Sequence, residues 1–549
     1  MRNILLIFLV LGGWSVSVKS QLKFIVEDFE GLADGTVDLK MNGVFTFGSC
    51  NAFIEHDETI QRPGIEPDYL EKRCITVKIA GKDEYAGWGK GVGLNIQLDP
   101  TKDFFNFYVD QSAEGGETDV KIQLQEDDND NGKFEKEFDD VWECSYVIKN
   151  VATPGWQLVS IPLNKFKDDD FGGDGIFNCN YKEGKLLCFL LSFTNSQSSN
   201  TPSKSLSFDF VCFSQEALSE KGNLENKGND FCSLGIWSKE GNVGNFSGIG
   251  NNFDKIFGPE NKKEPGVVHF FQPFSIADAE EQTNYPSVER INKVIQQSYI
   301  PMITLENHFK NQDQKYKQPN LYSIVEGHLD EFFVSWAQQI KKVQGIVLLR
   351  ILHEFNGNWY PWCVSNNDRN PRLLIEAYRH IHDIFRKQNV SNVKFIWCPN
   401  SMSVPQEKWN CILDAYPGND YVDFVGMDIY NGAGKEFSVW RSFKKEGIEN
   451  YFLLVKNYPD KPVIVCETAS RERENSELGL VQTKEEWINQ MSKAVKSDMH
   501  KVKLLTWFNE KSTFKINSSK KSSDSFLNFI LRDEYFKGGS KDLSALLEK

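Results

Sequence analysis

Two apolar runs in this chain stop on a glutamate. GIVLLRIL at 345–352 leads into His353 and Glu354, and PVIVCE at 462–467 ends on Glu467. Continuous apolar stretches of this length read as strands buried on both faces. A carboxyl at the end of such a strand stands where the sheet meets solvent. One glutamate there is often no more than the first solvated residue, but two beside tryptophan-rich loops suit acid chemistry on a glycosidic bond. One carboxyl protonates the leaving oxygen, and the other attacks the anomeric carbon or activates water. The stretch 353–362, HEFNGNWYPW, packs His353, Trp359 and Trp362 around the first carboxyl. Aromatic faces make platforms for sugar rings, so Trp359 and Trp362 are candidate walls on a loop that Gly357 and Pro361 fold over a cleft. His353 is a candidate for positioning substrate or carboxylate. Tyr430, ending VDFVGMDIY, could hold a carboxylate nucleophile ionised and oriented through its hydroxyl.

These residues need a frame that brings strand ends together. Candidate strands recur at 266–271, 299–306, a short run near 322–325, 345–352, 393–398, 422–430, 462–467 and 502–508. Between them lie amphipathic stretches such as SVERINKVIQQ, LDEFFVSWAQQIKK, PRLLIEAYRHIHDIFRKQ and TKEEWINQMSKAVKS. Eight apolar strands alternating with helices predict a (β/α)8 TIM barrel over 241–540, with its site at the C-terminal strand ends. A doubly wound open sheet is the alternative, but no Gly-rich nucleotide turn follows a strand. Trp397, Asn400, Asp428, Trp507 and Asn509 also fall at strand ends, as does His308 after the second run. Arg350 reads as a structural ion-pair partner.

Residues 21–215 have a different texture. CITVKIA, FFNFYVD, VKIQLQE, WQLVSIPL and LSFDFVCF alternate with Gly, Asp, Asn and Ser turns, which predicts an all-β sandwich. Inside it, EDDNDNGKFEKEFDD at 126–140 begins like a calcium loop, but Phe138 stands where a bidentate glutamate is needed. A calcium site and a solvated hairpin loop both remain open there. Residues 216–240 are polar and predict a linker.

At the quoted carboxylates the chain resembles glycoside hydrolase family 26. The resemblance rests on R-x-x-HE-x-NG-x-W at 350–359, WCPN at 397–400, VGMDIYN at 425–431, PVIVCET at 462–468 and TWFN at 506–509, and it covers about residues 240–530. It implies a retaining enzyme without metal or cofactor, with Glu354 as acid/base and Glu467 as nucleophile. It also implies that Tyr430 contacts the nucleophile and that Trp507 floors the −1 sugar. Endo-β-1,4-mannanase is the family's commonest activity. Mixed-linkage β-1,3-1,4-glucanase and β-1,3-xylanase are the alternatives, and a non-catalytic polysaccharide-binding protein is a further one. Cys363 departs from the family's pattern, and its pairing with Cys411 would pin two loops near the cleft. The sandwich resembles carbohydrate-binding modules, with Trp88 or Trp142 as candidates for its binding face.

Composition narrows the partners. The net charge of −15 argues against nucleic acid and anionic membrane surfaces. MRNILLIFLVLGGWSVSVKS, residues 1–20, reads as a secretory signal peptide. A secreted, extracellular monomer acting on a β-linked plant or algal polysaccharide is therefore expected. Eleven cysteines in an oxidising compartment predict several disulfides with at least one thiol left over. N-x-S sequons at Asn245, Asn389 and Asn517 fit that route weakly.

Overall fold

The computed structural model describes residues 21–547 apart from segments at 30–34, 37–42, 61, 63–71, 80–84, 95, 112–116, 150–154, 170–171, 180–183, 195–203, 219–230, 239–255, 258–262, 274–285, 307–318, 433–439 and 473–482. The expected signal peptide and His308 lie outside the described residues.

The N-terminal unit is the expected sandwich. One antiparallel sheet runs Gln157–Pro162, Asp103–Gln111, Lys204–Gln215, Arg73–Ile79, Cys50–His56, Gly35–Thr36, with Gln21–Glu27 paired to Lys204–Gln215. The other runs Lys167–Asp168, Val141–Ile148, Thr118–Asp127, Lys185–Thr194, Tyr85–Leu94, Val44–Gly48. Alternation points Phe105, Phe107, Phe189 and Phe208 inward, where their rings meet edge-on or tilted around Trp88. Each such ring, fully removed from water, contributes about 1.5–3 kcal/mol. Trp88 is therefore core and cannot offer a sugar-binding face. Trp142 is half-buried, packs against Phe177 and donates its indole N–H to Glu126 at 3.0 Å.

The C-terminal unit is a closed parallel barrel. Its strands are β1 (Cys232–Ser238), β2 (Val267–Pro273), β3 (Ile300–Glu306), β4 (Val347–Arg350), β5 (Val393–Trp397), β6 (Phe424–Asn431), β7 (Val463–Ser470) and β8 (Val502–Asn509). Each pairs with the next, and β1 pairs with both β2 and β8, which closes the ring. Two expectations are corrected. The first strand lies inside the stretch expected as a linker, because CSLGIWS slots between β2 and β8 with Gly235 facing Thr506, where a Cβ would come within 2.6 Å of the hydroxyl. The run near 322–325 is a helix, Leu321–Val325, capped by Asn320, whose side chain accepts from Ser323 N. Its buried residues Leu321 and Ile324 have helical spacing.

Helices α1 (Val288–Gln296), α2 (Asp330–Ile340), α3 (Pro371–Lys387), α4 (Phe443–Asn457) and α5 (Lys484–Lys496) belong to the outer layer. The start of α3 shows why the sequence stops and starts there. Asn370 caps Arg372 N at 3.1 Å, worth about 1 kcal/mol, and Pro371 fits the first turn, where its missing N–H costs nothing. The helix then buries Leu374, Ala377, Tyr378, Ile381 and Phe385 on one face. At the opposite end from the strand mouths, α6 (Lys541–Leu547) inserts Leu543 and Leu547 among Val267, Ile300 and Leu348.

The two units share one hydrophobic cluster. Leu22, Ile25, Tyr108, Trp156 and Phe210 of the sandwich join it together with Tyr451 and Phe452 of α4. Lys445 of α4 reaches across to Glu27 at 3.2 Å and Asp28 at 3.0 Å, and Lys90 also pairs with Glu27. Burial pushes Glu27 upward, but the two lysines outweigh it and hold the carboxyl at about 2. The ten cysteines whose side chains are described are free thiols, contrary to the expected disulfides. Cys363 instead directs its thiol to the Glu354 carbonyl within its own loop, at 3.4 Å, and does not pair with Cys411. Among the described residues, no helix is long and apolar enough to cross a membrane.

Candidate active site

The chain leaves β4 through a strained turn. Leu352 and Glu354 both adopt φ of 50°, a left-handed conformation costing a non-glycine residue about 1–3 kcal/mol. The surroundings hold that strain in place. Glu354 N donates to Cys398 O at 2.8 Å, Gly357 N donates to Glu354 O at 2.9 Å, and Trp362 Nε1 donates to His353 O at 2.7 Å. The result turns the Glu354 carboxyl toward the next strand end. There Asn400 Nδ2 donates to its Oε1 at 2.9 Å, and Trp359 Nε1 donates to its Oε2 at 2.7 Å. Gly357 is required for the second contact, since a Cβ would lie 2.6 Å from the Trp359 ring. Asn356 fixes Asn400 in turn, accepting from its N–H at 2.8 Å and donating to its carbonyl at 3.0 Å.

Glu467 is held differently. Tyr430 donates its hydroxyl to Oε2 at 2.6 Å, and Arg350 Nη2 pairs with Oε1. Arg350 is fully buried and directs Nη1 to both Asp428 oxygens at 2.7 Å and Nε to Thr304 Oγ1 at 2.8 Å. Burial opposes its charge, but Asp428 and Glu467 more than offset that. Burial and then the Glu467 carboxylate push the Tyr430 hydroxyl well up, so it stays a donor. Glu354 is raised from the ordinary carboxylate range by burial first and by Glu467 second. One glutamate thus receives neutral donors and the other a guanidinium.

The structure brings Glu354, Glu467, Tyr430 and Trp359 together as the sequence suggested. Trp359 is 45% exposed, so its ring is available as a platform. Two expectations change. Trp362 is fully buried and stacks on Tyr360 at 4.5 Å, so it builds the loop and does not line the cleft. Trp507 packs its ring against Trp487 and Phe526 and donates Nε1 to Phe514 O at 3.0 Å, which points it into the helical layer. His353 is 1% exposed, with its ring packed beside that stacked pair, 4.8 Å from Tyr360 and 5.8 Å from Trp362; it shapes the turn behind Glu354.

Sequence reading missed several mouth residues. Phe508, one position beyond Trp507, stacks on Trp237 at 4.8 Å and approaches Tyr430 at 5.9 Å and Phe271 at 6.2 Å. Glu306 ends β3. Burial, then the nearby Glu467, raises it to about 8, while a hydrogen bond from Tyr360 works the other way. The signal for Glu306 was present, since YIPMITLE also stops on a carboxylate. Trp237 was hidden with the strand that carries it.

The family model for glycosyl hydrolase family 26 matches residues 310–513. Endoglucanase H of Acetivibrio thermocellus is 34% identical over 206 residues, covering 36% of this chain and 22% of that protein. A mannan endo-1,4-beta-mannosidase of Bacillus subtilis is 28% identical over 150 residues, covering 24% of this chain and 40% of the relative. The chain therefore spans less than half the length of these relatives. Among solved structures, a Podospora anserina GH26-CBM35 β-(1,4)-mannanase aligns over 92% of this chain and 99% of its own, at 12% identity and a TM-score of 0.42.

Proposed function

We propose that this chain, whose residues 310–513 match the glycosyl hydrolase family 26 model, is a retaining endo-β-1,4-glycanase acting on mannan, glucomannan or galactomannan. The observation that carries the reading is the contrast between the two glutamates. Glu354 is raised by burial and receives only neutral donors, as suits a proton donor. Glu467 lies between Arg350 and the Tyr430 hydroxyl, which hold and aim it as a nucleophile requires. In the first step Glu467 attacks the anomeric carbon while Glu354 protonates the leaving oxygen. In the second, water deprotonated by Glu354 releases the sugar. Trp359 and Phe508 are the proposed platforms for the glycan. The apolar N-terminal run supports secretion, which N-terminal sequencing of the mature protein would check.

The similarity to an endoglucanase favours a second reading, cleavage of mixed-linkage β-1,3-1,4-glucan by the same two residues. Product release from galactomannan and from mixed-linkage β-glucan, each with a Glu467→Ala control, decides between them. Oligosaccharides from galactomannan alone support the first reading, and products from the glucan alone replace the substrate. Products from neither would overturn both readings and leave another β-glycan or a non-catalytic binder, and full activity in Glu467→Ala would overturn the assignment of the nucleophile.

A further inference from the structure

Beneath the catalytic pair the barrel interior holds two thiols that the proposed reaction does not use. Cys398 follows β5 and Cys466 lies in β7, both buried among Leu348, Ile464 and Leu504. The strand between them, β6, carries Gly426 at that level. A Cβ on it would lie 2.8 Å from Cys466 Sγ and 3.3 Å from Cys398 Sγ, so the missing side chain is the space in which the thiols converge. The two sulfurs and an Asp428 oxygen lie within 4.8 Å of one another. Cys398 Sγ is 3.4 Å from Asp428 Oδ1 and 3.7 Å from Arg350 Nη1.

Geometry sorts the chemistry open to this pair. Strands two apart in a sheet are separated by roughly 9–10 Å, whereas a disulfide needs about 4.4–6.8 Å between Cα atoms. The thiols meet only because both side chains reach over Gly426, so closing a direct bond would require the backbone to move. A bridging ion has no such difficulty, since two metal–sulfur bonds of about 2.3 Å span about 4.6 Å. Two sulfurs and one carboxylate oxygen select soft metals.

We propose that Cys398, Cys466 and Asp428 form a binding site for a soft, thiophilic metal ion, and that occupying it switches the barrel's chemistry off. On binding, each thiol releases its proton to solvent as its metal–sulfur bond forms, and no electron is transferred. The ion, whose charge the two thiolates balance, takes Asp428 Oδ1, which now accepts from Arg350 at 2.7 Å, and so deprives that guanidinium of a partner that fixes its position. Arg350 is the group that orients Glu467, so the loss falls on kcat more than on KM. The inhibitory half of the proposal rests on the glycanase reading; the binding half does not.

Mercury(II) is the probe. The full-length protein is incubated with one equivalent, long enough for local opening to admit the ion. It is then unfolded, its free thiols are alkylated, and the protected cysteines are located by mass spectrometry. The expected result is protection of Cys398 and Cys466 together. On the glycan that the untreated protein cleaves, kcat falls at least about tenfold and excess dithiothreitol restores it. The metal-to-untreated activity ratio in Cys466→Ala stays near one. Protection falling on other cysteines, such as the half-buried Cys144, overturns the site, and that mapping needs neither activity nor the variant. Equal inactivation of Cys466→Ala and the unaltered protein overturns the link to catalysis.

Discussion

Carboxyl groups crowd together in both halves of the molecule, but they are held in different ways. At the barrel mouth Glu354, Glu467, Asp428 and Glu306 gather around one guanidinium, Arg350, which bonds Asp428 and Glu467 directly. In the sandwich, Glu126, Asp128 and Asp140 converge and take their hydrogen bonds from backbone N–H groups, the Trp142 indole and the Cys179 thiol. Burial first, and like charge second, raises Glu126 to about 8, Asp128 to about 7 and Asp140 to about 6. Arg350 bonds Glu467 and not Glu354, which makes the two glutamates unlike, and the hydrogen bonds of the sandwich cluster draw no such distinction.

Removing the cation should have the largest effect. Arg350→Met leaves Asp428 and Glu467 buried without their partner, which costs about 3–5 kcal/mol of stability and abolishes turnover. A denaturant midpoint equal to that of the unaltered protein would break the comparison. Tyr430→Phe is milder. It removes one hydrogen bond to a charged group, about 1.5–3 kcal/mol, so kcat/KM should fall roughly 10- to 100-fold with the fold intact by circular dichroism. Glu306→Gln sharpens the electrostatics. Above pH 8 an ionised Glu306 adds negative charge beside Glu467. The kcat/KM profile should therefore fall more steeply above that pH in the unaltered protein than in the glutamine variant.

The smallest effect is expected in the sandwich, and it has the opposite sign. Asp128 binds its proton more tightly when folded, so its contribution to stability is complete below about pH 4 and is lost as pH rises toward 7. Asp128→Asn should raise the melting temperature at pH 8 and not at pH 4. Solvent screens this half-buried group, so the gain should be roughly 2–4 °C. Destabilisation at pH 8 would show that the carboxylate is needed there.

Much of this was legible in the sequence. β4 through β8 follow the apolar runs, and reading what ends them led to Glu354, Glu467 and Tyr430. β1 was not legible, because CSLGIWS is short, interrupted by glycine and set beside a polar run. Side-chain direction at the strand ends was not legible either. Strand alternation would put Cys466 and Glu467 on opposite faces. Yet the register slips between Met427 and Asp428 and again between Val465 and Thr468. Cys466 joins the inner core while Glu467 reaches Arg350. Bulges of this kind re-aim side chains beside sites, and no periodicity reveals them. Trp507 illustrates the same limit, since its neighbour Phe508 is the residue that meets Tyr430 at the mouth.

The central claim is that Glu354 and Glu467 divide acid/base and nucleophilic roles. Azide rescue on an aryl β-glycoside, whose leaving group needs no proton, tests it most directly. The account predicts that azide restores turnover to Glu354→Ala and yields a β-glycosyl azide, because azide intercepts a glycosyl-enzyme formed on Glu467. An α-glycosyl azide from Glu354→Ala, or a β-glycosyl azide from Glu467→Ala, would contradict the assignment.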